Sequence, residues 1–158
     1  MAMISSIQGL APGKLLFVKG LPTSIHDPAF RGDVLRRTLD NLILCPSDIV
    51  FELSEKQPGR DPGLFRVARK YYGELGFQVA IDDTGVAYRS LDSIIELAPD
   101  FIRVDLSLVR GIDADPARQE LLRALNVVAN SIHASVVAEG IETSDELATV
   151  QCLGVPYG

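Results

Sequence analysis

Two adjacent carboxylates, Asp82 and Asp83, end the apolar run Val79-Ala80-Ile81 and lead into Thr84-Gly85. Neighbouring acids repel, so such a pair faces solvent, a cation or a metal. Taken alone, it reads as a solvated corner where a buried strand leaves the core. Other apolar runs in the chain end in the same way. Ile49-Val50-Phe51 leads to Glu52, Phe101 to Val104 leads to Asp105, and Val136 to Ala138 leads to Glu139. If these strand ends converge, the acids need a counter-charge, which a divalent ion with oxygen ligands supplies. Acids at strand ends can also cap the helices that follow, and that alternative stays open at this point.

The elements that must position these acids follow a repeating pattern. The spacing predicts strands at Lys14–Lys19, Ile49–Leu53, Val79–Asp82, Phe101–Asp105 and Ser135–Glu139. It predicts helices over Ala29–Leu39, after Asp61-Pro62, over Ser90–Leu97, after Asp115-Pro116, and from Thr143 to about Leu153. Asp61 and Asp115 are N-cap candidates with proline at the next position. Thr143-Ser144-Asp145-Glu146 has capping-box spacing, and Gly76 and Gly154 are helix stops. Leu64, Val67, Ala68, Tyr71, Tyr72 and Leu75 form one apolar helical stripe. Leu121, Leu122, Leu125, Val128, Ala129 and Ile132 form another. Strands alternating with helices imply a parallel sheet, either open and doubly wound or an arc of a (β/α)8 barrel. The strands lack a GxGxxG or Walker-A turn, which weakens the nucleotide-binding open sheet. In a barrel the strand ends are the chemical face.

Composition narrows the functional classes. With 158 residues, 47% of them hydrophobic, and a mean hydropathy of +0.19, the chain suits about one domain with buried strands. A formal charge of −6 argues against a binder of nucleic-acid backbones. No apolar run approaches the roughly 18 residues of a membrane span, and the start lacks a signal-peptide pattern, so a cytoplasmic protein is expected. Cys45 and Cys152 have no metal spacing and read as packing residues in a reducing compartment. Ser54 and Ser90 lack a histidine partner, which leaves nucleophilic catalysis unsupported. His26 and His133 read as structural or surface residues, and Tyr71 and Tyr72 as core or interface packing residues.

Four segments in order resemble the EAL domains, the bacterial cyclic di-GMP phosphodiesterases. Phe51-Glu52-Leu53-Ser54-Glu55 is similar to the family's E-[IL]-[TS]-E motif, and Ile81 to Leu91 to its DDFGTGYSSL segment. Ile102-Arg103-Val104-Asp105 is similar to IKID, and Val137 to Thr143 to VAEGVET. The match begins near residue 14, so the expected layout is an N-terminal segment, 1–13, and a partial EAL domain, 14–158.

The resemblance implies an incomplete TIM-like barrel of about five βα units. It implies hydrolysis of cyclic di-GMP to linear pGpG with two Mg²⁺ or Mn²⁺ ions. Carried over, Glu52, Asp82 and Asp83 are metal ligands, and Glu139 and Glu142 hold the metal–water network. Glu55 anchors the loop Thr84 to Ser90, a segment that contributes to dimerisation in the family. The expected partners are therefore cyclic di-GMP and a second copy or another protein. Asp105 either supports the site from behind or caps the next turn, and the first is favoured.

Two positions depart from the family pattern. Lys19 stands where the family has a metal-binding asparagine, and an ammonium offers a cation no lone pair. Arg103 replaces the catalytic lysine, and guanidinium never deprotonates and prefers bidentate geometry. The Glu-Ala-Leu tripeptide is expected upstream of residue 14 and does not occur in Met1–Gly13. The chain also stops where the family's next strand, beginning Gln-Gly, is expected. The reading is a degenerate site, in which Lys19 and Arg103 partly replace the metals as counter-charge and hydrolysis is weak or lost. A receptor or protein-interaction role is the alternative.

Overall fold

The computed structural model describes residues 13–54, 62–82 and 91–156. Its five strands form one sheet in chain order, β1 Leu16–Gly20, β2 Ile49–Ser54, β3 Gln78–Asp82, β4 Phe101–Val104 and β5 Ser135–Ala138. Helices alternate with them: α1 Gly32–Leu42, α2 Pro62–Glu74, α3 Leu91–Leu97, α4 Leu106–Val109, α5 Pro116–Ser131 and α6 Ser144–Cys152. The expected βα order is therefore observed, and each pairing described is parallel. The chain forms two compact units, Met1–Val79 and Ala80–Gly158, whose boundary falls inside β3.

The first unit is built on aromatic packing. β1 runs beside β2 in the register Leu16↔Ile49 to Gly20↔Leu53. Phe51 stacks on Tyr72 at 4.2 Å between ring centroids and meets Phe77 edge-on at 5.1 Å. Such contacts add about 0.5–1.5 kcal/mol each beyond the area they bury. Phe65, Ala68 and Tyr72 are the buried positions of α2, while Val67 is 55% exposed. The expected stripe is thus rotated: Phe65, Ala68 and Tyr72, spaced three and four apart, point inward, and Val67 falls outside that arc.

Tyr71 donates its hydroxyl to the carbonyl of Phe30 at 3.1 Å. The Tyr72 hydroxyl is buried and meets no hydrogen-bond partner among the described residues. Burial, then the neighbouring Tyr71 and Asp27, push its pKa upward. Gly76 ends α2 at φ 89°, with the Phe77 N–H returning to the Tyr72 carbonyl, a Schellman-type closure.

α1 starts three residues later than the pattern suggests. The Asp27 carboxylate accepts from the Ala29 N–H, and Pro28–Phe30 becomes a separate 3-10 turn. Arg31 is extended, so α1 begins at Gly32 and buries Leu35 and Leu39. It ends on Ile43, which is 91% exposed and held at φ 56°. A β-branched residue rarely occupies that left-handed position.

The second unit has an aliphatic core. Ile102 and Val104 of β4, Val136 and Ala138 of β5, and Leu122, Leu125 and Ala129 of α5 pack with Val109, Ile112 and Val150. Leu121 of the expected α5 stripe is instead 46% exposed, because Leu122 and Leu125 define the inward arc. Asp115 caps α5 by accepting from the Ala117 and Arg118 N–H groups, with Pro116 next, as the spacing predicts. The Thr143–Glu146 box opens α6. The short α4 and a 3-10 turn at Ile112–Ala114 are elements the sequence pattern does not reveal.

Cys45 and Cys152 are both exposed free thiols, which corrects the packing role expected of them. Cys45 precedes a 3-10 turn and Cys152 ends α6, both on the solvent side of their elements. Among the described residues no helix is long and apolar enough to cross a membrane.

Candidate functional site

Among the described residues, those singled out by chemistry fall at or just beyond the C-terminal ends of the strands, and each unit holds its own set. In the first unit, Lys19 and Glu52 are register partners on β1 and β2. Partners in a parallel pair project to the same face, so the ammonium stem and the carboxylate start on one side of the sheet. Glu52 is 3% exposed, whereas Lys19 is exposed. Carboxylates are almost never buried without compensating groups, which marks Glu52 as a specialised position. Glu55 lies outside the described residues.

In the second unit, Asp82 closes β3, one residue past the pair Ile81↔Ile102, and Arg103 follows Ile102 on β4. The register thus brings Asp82 and Arg103 to one level of the sheet. The side chain of Asp82 and the whole of Asp83 lie outside the described residues.

Arg103 is paired in register with Val137, and Glu139 lies two residues beyond Val137. The Glu139 N–H donates to the Val104 carbonyl at 3.0 Å, carrying the ladder past the end of β5. Strand periodicity therefore returns Glu139 to the face of Arg103, and the two form an ion pair. The side chains are 11% and 37% exposed, so the guanidinium sits mostly out of water. Charge-assisted contacts of this kind are about twice as strong as neutral hydrogen bonds.

The loop after β5 is held at further points. Glu142 forms an ion pair with Arg110, both exposed. Glu146 is 4% exposed, and its carboxylate accepts the N–H groups of Gly111 at 2.8 Å, Glu142 at 2.9 Å and Thr143 at 3.0 Å. These contacts, the Gly111 N–H foremost, hold its pKa below the usual carboxylate range against the opposing effect of burial. The capping-box spacing marks Glu146 as a helix cap, but its reach to Gly111 has no signature in the sequence. Asp105 caps α4, accepting from the Ser107 N–H at 2.6 Å. The cap is thus one of the two roles expected for Asp105.

Two-ion phosphodiester chemistry needs several carboxylate oxygens turned toward cations. Among the described residues no group of three or more His, Cys, Asp or Glu is arranged to hold a metal. Glu139 faces a guanidinium instead, and a lysine starts on the face of Glu52. Of the carboxylates expected to hold ions, only the side chain of Glu52 falls among the described residues.

Comparison with known proteins places this arrangement. A family model described as the EAL domain matches residues 1–158. The chain is 34% identical over 115 residues to the cyclic di-GMP phosphodiesterase PdeR of Escherichia coli K12, covering 73% of this chain and 17% of that protein. It is 33% identical over 119 residues to the probable cyclic di-GMP phosphodiesterase PdeG of the same organism, covering 75% and 22%.

Among solved structures, the standalone EAL protein of Vibrio cholerae O395 in its c-di-GMP-bound form superposes with a TM-score of 0.82. The two are 26% identical, over 97% of this chain and 64% of that one. BlrP1 of Klebsiella pneumoniae, in a calcium and cyclic di-GMP complex, gives 0.78 at 30% identity, over 89% and 36%. A second BlrP1 complex holds manganese and cyclic di-GMP. The chain therefore spans about a fifth of these curated relatives and under two-thirds of these structures.

Proposed function

The chain belongs to the EAL domain family, and from that premise we propose that it is a cyclic di-GMP phosphodiesterase-type domain in which hydrolysis is weak or lost. The observation that carries this reading is the Arg103–Glu139 ion pair. In the two-ion scheme the carboxylates at the strand ends turn their lone pairs to cations. Here a fixed, always-charged guanidinium takes the carboxylate of Glu139. A positive charge beside a divalent ion would oppose the binding of that ion. A metal must therefore displace Arg103 as well as bind, and the lysine beside Glu52 works in the same direction. The described donors thus favour the internal cations over a metal.

Incubating the chain with cyclic di-GMP and Mn²⁺ and resolving the products by chromatography tests the reading. The expected result is little or no linear pGpG. Sustained turnover would overturn it. The double substitution Lys19→Asn with Arg103→Lys is expected to raise turnover; no gain would put the fault elsewhere.

A receptor role is the second reading, favoured by loss of catalytic charge pattern without loss of the family's strand order. Equilibrium dialysis with radiolabelled cyclic di-GMP separates the two: retained affinity without product supports a receptor. In the same reading the ions for any residual turnover are Mg²⁺ or Mn²⁺ and the setting is cytoplasmic. The domain associates with a second copy or a protein partner, since among the described residues β1 and β5 each pair on one side only and such edges invite pairing. A monodisperse monomer in sedimentation velocity would count against that association.

A further inference from the structure

Leu106–Gly111, the segment that follows β4, touches the loop Glu139–Thr143 that follows β5 at three places. At Gly140, φ is 72°, and a Cβ there would lie 2.5 Å from Leu106 Cβ and 3.4 Å from its Cα. Only glycine fits so close an approach at that backbone angle. At Glu142 the Arg110 guanidinium closes an ion pair. Between them Glu146 accepts from Gly111 with one carboxylate oxygen, Oε1, and from Glu142 and Thr143 with the other, Oε2.

The first of these oxygens does no helix capping. A capping box needs the second oxygen on the N-cap N–H and the Thr143 hydroxyl on the Glu146 N–H, and both are present. The contact to Gly111 spans 35 residues of sequence and ties one strand-end loop to another. Gly111 in turn starts the 3-10 turn whose Ile112 is fully buried, and the Gln119 amide donates to the Ile112 carbonyl at 2.9 Å. The Gly111 end of the link is thus fixed in the core. The loop end carries Glu139 and Glu142.

We propose that Glu146 is a positioning residue, pinning the loop Glu139–Thr143 onto the core-anchored turn at Gly111 and thereby holding Glu139 against Arg103. Its bearing on cyclic di-GMP rests on the functional reading above, but the pin itself does not.

Glu146→Gln separates the pin from the cap. The amide keeps one acceptor oxygen, and placing it on the two N–H groups of Glu142 and Thr143 turns the NH₂ toward the Gly111 N–H. Glu146→Asp is the second variant: it retains a carboxylate for the local box but is one methylene too short to span to Gly111. Thr143→Ala is the control, since it weakens the cap and leaves the Glu146 carboxylate in place.

The readouts are amide hydrogen exchange in the ¹⁵N-labelled chain and the Arg103 Nε–H resonance. In both Glu146 variants, Gly111 exchange is expected to rise about tenfold more than that of Val150 within α6, the factor expected for one hydrogen bond to a charged group. The Arg103 Nε–H signal is expected to shift or broaden with it. Thr143→Ala is expected to speed exchange along α6 and to leave both reporters in place. If Gly111 and Val150 respond equally in the Glu146 variants, or if Arg103 does not respond, Glu146 is a helix cap only. Failure of cyclic di-GMP turnover or binding leaves these readouts unaffected, so the pin and the functional reading fail separately.

Discussion

The two compact units treat charge at the strand ends in opposite ways. In the first, Glu52 sits 3% exposed on β2, next in sequence to Phe51, whose ring packs against Tyr72 and Phe77 and fixes the strand that carries the carboxylate. In the second, Glu139 and Glu142 lie on the loop after β5, and polar links hold it: Arg103 on Glu139, Arg110 on Glu142, and Glu146 of α6 on three backbone N–H groups. A carboxylate on a strand inherits its position from the sheet. One on a loop must be tied by its own contacts, and those contacts consume the lone pairs that a metal would use. In the second unit, the acid at the end of β5 faces a guanidinium.

The largest expected effect breaks the first unit. Phe51→Ala removes a ring that touches Tyr72 and Phe77 and is expected to cost about 3–5 kcal/mol in urea unfolding. A cost below about 1 kcal/mol would mean that the stack is not the support of β2. In the second unit, Glu139→Ala removes a counter-charge from a guanidinium that is 11% exposed, and is expected to cost about 2 kcal/mol. Arg103→Met replaces the cation by an apolar side chain of similar length and is expected to be near neutral by the same measurement. The asymmetry between those two variants identifies the buried charge as the expensive partner.

A smaller effect marks a cost inside the first unit. Ile43 takes a left-handed backbone conformation while exposed, and Ile43→Gly is expected to raise stability by about 1 kcal/mol. A loss instead would show that the Ile43 side chain is in use.

The smallest effect concerns pH. Glu146 has its folded pKa lowered from 4.5, so its contribution is fully present above about pH 4.5 and is lost as pH falls through the folded value. Urea midpoints taken between neutral pH and about pH 3 are expected to fall less steeply in Glu146→Gln than in the unmodified chain. Parallel curves would remove Glu146 from the acid limb.

Most of the frame is legible from residue types. Apolar runs ending in acids mark four of the five strands, the run ending at Lys19 marks the other, and Asp115-Pro116 and Thr143 to Glu146 mark helix starts that the structure reproduces. The βα order follows from their alternation. Less legible is the rotation of a helix about its axis. The apolar residues at Val67 and Leu121 sit beside the true inward arc, and only contact with the sheet decides which neighbour is buried. Exposure of Cys45 and Cys152 is hidden for the same reason, since their type suggests burial.

At the site, Lys19 and Arg103 stand out in the sequence as charges of the wrong sign among acids. The identity of the carboxylate that answers Arg103 follows only from the register Arg103↔Val137. The reach of Glu146 to Gly111 follows only from the turn after α4.

Calorimetric titration of the chain with Mn²⁺ tests the central claim most directly. If Arg103 and Lys19 have replaced the metals as counter-charge, the isolated chain shows no tight binding event, and Arg103→Lys with Lys19→Asn introduces or strengthens one. Tight binding of two ions to the unmodified chain would contradict the account.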